Sequence, residues 1–132
     1  MRPTLDSLLA DCHARRLTVT TGRLPRAVRG TYHHPTRTIT LAAGMPGWAA
    51  VPTLMHEMVH ADRGDDGPQP AAIEARIDAL VACRLITVGE YAAAEDLVGP
   101  VVGALAAELD VPAWVVEAYR RTLLSKCSSS CQ

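Results

Sequence analysis

The chain of 132 residues predicts a mostly helical α+β fold with a short antiparallel sheet. Three observations carry that reading. Residues 17–21 and 36–41 alternate apolar with polar side chains and are rich in Thr, Val and Ile, the pattern of half-buried strands. On either side of them, apolar residues recur at intervals of three and four. Phe is absent and Ala makes up about a sixth of the chain, so the core is built from small and aliphatic side chains, which favours closely packed helices.

In order, residues 4–16 read as an amphipathic helix capped by Thr4, with Leu5, Leu8, Leu9 and Cys12 along one side. Residues 17–21 read as a strand ended by Gly22, residues 27–32 as a second strand, and residues 36–41 as a third after a His33-His34-Pro35 turn. A helix follows from about residue 48 to 62. Pro52 is compatible with it if the helix starts near Ala49, because N–H groups of the first turn have no helical acceptor. Residues 63–69 form a loop, and Pro70 suits the first position of a helix running to residue 86. Thr87 and Glu90 have capping-box spacing and open a helix that ends before Gly99-Pro100. Residues 101–109 and 113–124 are the last two helices, and residues 125–132 are expected to be a disordered tail behind a single domain of residues 1–124.

Composition removes several functional classes. No apolar run reaches the ~18 residues of a membrane span. Asp6 and Asp11 interrupt any signal-peptide core, so a cytoplasmic location with reduced cysteines is expected. A net charge of −1 excludes a strongly basic nucleic-acid binder. The charge is unevenly placed: no acidic residue lies between Cys12 and His56, where six arginines do. They are scattered through strand-like sequence, which fits neutralisation within the fold better than a binding patch. Residues 105–123 have the outline of a helix-turn-helix, but Trp114, Val115 and Val116 stand where base-reading polar residues belong. Packing is the expected role there. Cys127 and Cys131 have the wrong spacing for a redox or zinc pair.

One motif carries chemistry. His56-Glu57-Met58-Val59-His60 is an H-E-x-x-H sequence in a helical context. Residues four apart share a helix face, so both imidazoles can hold one metal ion. Glu57 then stands beside the ion and can take a proton from a zinc-bound water. A catalytic zinc needs a third protein ligand. Glu74 is the leading candidate, with Asp78 on the same face one turn later to hold a histidine N–H. Asp66 competes, six residues after His60, although Gly64 stands one residue late for the turn that this would need. His33, His34 and Tyr91 are candidates for contacting substrate or an oxyanion.

These stretches, with Arg37-Thr38-Ile39-Thr40-Leu41 before the motif and Ile73-Glu74-Ala75-Arg76-Ile77-Asp78 and Ala82-Cys83-Arg84-Leu85-Ile86 after it, resemble ImmA/IrrE-type metallopeptidases, in particular short versions from actinobacteria and their phages. The likeness runs from about Tyr32 to Leu124. It departs at Met55, where Ala is usual, and at Thr87, where Pro often stands. The resemblance implies a small zincin-like core, one Zn²⁺ per chain on His56, His60 and Glu74, and Glu57 as the base. It also implies a protein substrate, a repressor-like regulator; the composition disfavours a membrane or nucleic-acid partner. The other reading of the same residues is a metal-stabilised regulator that sequesters a repressor or toxin without cutting it.

Overall fold

The computed structural model describes residues 2–129. Its elements run α1 (Leu5–Ala14), β1 (Thr18–Gly22), β2 (Gly30–His33), β3 (Thr38–Ala42), α2 (Gly47–Arg63), α3 (Ala71–Leu85), α4 (Val88–Val98), α5 (Val102–Leu109) and α6 (Ala113–Ser129). This is a mostly helical α+β fold. Two compact units, Met1–Ala71 and Ala72–Gln132, divide the stretch that the sequence reads as one domain. Among the described residues no helix is long and apolar enough to cross a membrane.

In the first unit, Thr4 caps α1 as expected and exchanges hydrogen bonds with Ser7, giving the N-terminal N–H groups the acceptors they lack within the helix. The sheet corrects the sequence reading. Its order is β1-β3-β2, with β2 antiparallel to β3 but β1 parallel to it. Alternation reports which face a residue occupies and is silent on which strand lies beside it. Here the seven-residue connection after β1 passes the end of β3, and both its flanks are held there. Ala43 N–H donates to the Gly22 carbonyl at 3.0 Å, and Ala42 N–H donates to the Arg29 carbonyl at 2.8 Å. β3 is therefore central, and the edges of the sheet are β1 and β2.

Helix α2 packs on β2 and β3, where Ile39 and Leu41 are buried. Gly30 sets the closeness of that approach. A Cβ added there would lie 2.8 Å from Thr53 Cγ2, 3.3 Å from Glu57 Cγ and 3.3 Å from the Thr40 carbonyl. Thr53 cannot turn away freely, because its hydroxyl donates to the Ala49 carbonyl at 2.9 Å. Helix α2 starts at Gly47, so Pro52 occupies its sixth position and lies beyond the first turn. The bond that its N–H would have given to Trp48 is absent, while its ring is fully buried. At the other end of α2, Asp62 accepts two bonds from the Arg15 guanidinium, 2.8 and 3.1 Å long. This exposed pair, one of those expected from the uneven charge, contributes at most about 1 kcal/mol.

In the second unit, Thr87 and Glu90 form the expected capping box, with both bonds 3.1 Å long. Asp110 ends α5 in a left-handed conformation with φ 56°. Val115, Val116, Ala118 and Tyr119 of α6 are buried, so the start of this helix is core and is not a base-reading surface. Helix α6 continues to Ser129, past the expected end at residue 124, because no Gly or Pro follows to stop it. The expected tail therefore narrows to residues 130–132, which lie outside the described residues, as does Cys131.

Two outcomes follow from this packing. Gly30→Ala lowers stability by about 1–3 kcal/mol in urea unfolding, the range for overpacking a fixed core. Gly22→Ala, whose added Cβ meets Thr40 Cγ2 at an ordinary 3.5 Å, stays within a few tenths of wild type. Burial of Cys12 pushes its thiol above the ordinary value, outweighing the opposing pull of Arg15. The native state thus favours the neutral thiol, and the stability this gives is present below the ordinary thiol pKa and lost as pH rises through the folded value. Stability measured between about pH 8 and 10 falls less steeply in Cys12→Ala than in wild type.

Candidate metal centre

His56, Glu57 and His60 lie on α2 and are all buried. The one-turn spacing brings the two imidazoles together with their Nε2 atoms 3.2 Å apart and their rings inclined at 64°. Two nitrogens bound to one tetrahedral zinc, each about 2.05 Å from it, stand about 3.3 Å apart. The rings are therefore spaced as two ligands of a single ion would be.

What fixes the second ring lies just past the helix. Gly64 ends α2 in the left-handed region, φ 73° and ψ 27°, which glycine adopts without steric cost. That turn sends Asp65 back over the last helical turn, where its N–H donates to the His60 carbonyl at 3.0 Å. The Asp65 carboxylate then receives His60 Nδ1 at 2.9 Å and Arg63 Nε at 2.7 Å, both on Oδ2. Desolvation pushes the Asp65 carboxyl up, but the hydrogen bonds from Arg63 and His60 outweigh it and hold it below the ordinary carboxylate value. An ionised carboxylate only accepts, so His60 Nδ1 donates this bond and Nε2 is the ring nitrogen left to face a metal. This is the carboxylate–histidine arrangement that orients metal ligands.

Ligand atoms of His56, His60 and Glu74 all lie within 4.8 Å of one another, a group that could hold a metal ion. Two imidazoles and one carboxylate suit zinc and leave a fourth position for water or substrate. Asp66, the competing third ligand, is exposed and falls outside this group. Asp78 lies one turn after Glu74 on α3, half-buried, with its Oδ1 shielded from solvent. Asp65 supplies a carboxylate on a histidine N–H.

The other candidates separate. His33 is exposed, with Nδ1 2.8 Å from Thr36 Oγ1. His34 is half-buried, with Nδ1 2.9 Å from the Tyr32 hydroxyl, and its ring lies 3.7 Å from where a Cβ on Gly64 would stand. It thus packs against the turn that carries Asp65. Tyr91 is buried in the second unit, its ring 5.0 Å from that of Tyr119, and its hydroxyl accepts from Arg120 Nε at 2.9 Å. Arg120 also donates to the Pro100 carbonyl. The Tyr91 hydroxyl thereby braces α6.

Sequence reasoning missed Asp65 and Tyr32. The signal for Asp65 was present in Arg63-Gly64-Asp65-Asp66, where a helix-ending glycine places the next residue over the preceding turn. Compared with family models, curated proteins and solved structures, the chain matches none.

Asp65→Ala weakens zinc binding about 10–100-fold, the usual cost of losing a group that orients a metal ligand. Asp66→Ala leaves it unchanged. Titration of each variant against a competing chelator reads both.

Proposed function

We propose that the protein is a zinc-dependent endopeptidase that cuts a repressor-like regulatory protein in the cytoplasm. The observation that carries this reading is the buried His56–His60 pair, Nε2 atoms 3.2 Å apart, with Glu57 beside it on the same helix. The resemblance to ImmA/IrrE-type metallopeptidases supports the substrate class. Glu74 completes the ligand set with His56 and His60, and one Zn²⁺ binds per chain.

Zinc, when bound, supplies a Lewis acid that acidifies water and polarises a carbonyl. The chain's own residues do the rest. Asp65 holds His60 in the ligating tautomer, and the burial of α2 keeps bulk water from the two imidazoles. Glu57 takes the proton of the attacking water and delivers it to the departing amine. An extended substrate needs a free strand edge to pair with. β3 cannot supply that edge, because it is paired on both sides. The edge of β2 takes that role, since Gly30 at its start lies against Glu57.

Elemental analysis finds about one zinc per chain in wild type and none in His56→Ala/His60→Ala. Glu57→Gln keeps the zinc and loses at least about 100-fold in cleavage of a repressor-like protein substrate. A Glu57→Gln protein that still relieves repression overturns the peptidase reading in favour of sequestration.

A further inference from the structure

We propose that a groove along α3 and α6, on the second unit, docks an acidic amphipathic helix of a partner protein. The groove has a volume of about 580 Å³. Its α3 wall is one continuous stripe, Ala72, Ala75, Arg76, Ala79, Leu80 and Cys83, facing Arg121, Thr122 and Ser125 of α6. Spacings of three and four keep that stripe on one side for three turns, about 16 Å of helix. It lies opposite the side of α3 that buries Ile77, Val81 and Leu85.

Shape and charge select the occupant. Three alanines in line let a helical backbone approach closely, and the exposed Leu80 offers it an apolar anchor. An extended peptide would need a strand edge, which two helices do not provide. Arg76 and Arg121 are both exposed, one on each wall, and neither makes a hydrogen bond or ion pair among the described residues. Two cations flanking an apolar floor complement carboxylates on either side of an apolar helix face. The proposal rests on the second unit and stands apart from the chemistry of the histidines.

The probe is a fluorescein-labelled amphipathic peptide of about 18 residues, with Leu on one face and Glu along its borders, and a twin carrying Lys in place of Glu. Anisotropy with the full chain shows the Glu peptide bound and the Lys peptide not. Arg76→Glu/Arg121→Glu weakens the Glu peptide at least about tenfold and gains the Lys peptide, while Ala79→Trp, which fills the groove, binds neither. Circular dichroism and zinc content identical to wild type certify each variant. Equal binding of the two peptides, binding of neither, or binding that survives the charge swap overturns the proposal. So does self-association that the same swap abolishes, which makes the occupant a second copy, or binding to anionic vesicles without binding to the peptide.

Discussion

The arrangement of the metal centre depends on one hydrogen bond, from His60 Nδ1 to Asp65. Helical spacing places two imidazoles on one face but leaves each ring free to turn about its own bonds and to exchange tautomers. A charge-assisted bond, worth about 1.5–3 kcal/mol, removes both freedoms for His60. Its geometry comes from the backbone: only a residue tolerant of positive φ ends α2 so that the next side chain returns over the last turn. Arg63 completes the arrangement by keeping Asp65 ionised. The three consecutive residues Arg63, Gly64 and Asp65 thus act as one device: a cation, a turn and a carboxylate.

A helix with Thr53, His56, Glu57 and His60 all buried breaks the rule that core faces are apolar. Each polar group taken from water needs a partner, and a titratable one needs more than most. The sequence around them has no other sign of tolerance for waste: Leu54, Met55, Met58 and Ala61 are buried in the same turns. Such a local conflict inside an otherwise consistent helix marks a candidate functional site. Gly30 belongs to the same logic, because without a side chain it lets the sheet come close enough to cover Glu57.

The legible parts of the fold were those with a local cause. Thr4, Thr87 and Glu90 announce helix starts because the capping bonds involve neighbours in sequence. The histidine pair is legible for the same reason, one helical turn being a fixed distance. The parallel pairing of β1 with β3 was hidden because period-two alternation carries no information about neighbours. Asp65 was hidden by a different ambiguity. Counting six residues from His60 offers Asp66 as a competing metal ligand, and helical spacing offers Asp78 to hold a histidine N–H, but neither count registers that the left-handed turn at Gly64 returns Asp65 to the last turn of α2. The length of α6 was underestimated because a polar composition after Leu124 resembles a tail, although nothing in it breaks a helix.

Helix α3 has two faces of different character. Glu74, Ile77, Asp78, Val81 and Leu85 share one side of it, and the groove stripe from Ala72 to Cys83 occupies the other. The approach to α3 through Gly67, Pro68 and Pro70 is conformationally constrained: Pro70 supplies no N–H to the first turn, and Gly67, at φ 89°, sits in a conformation that other residues resist.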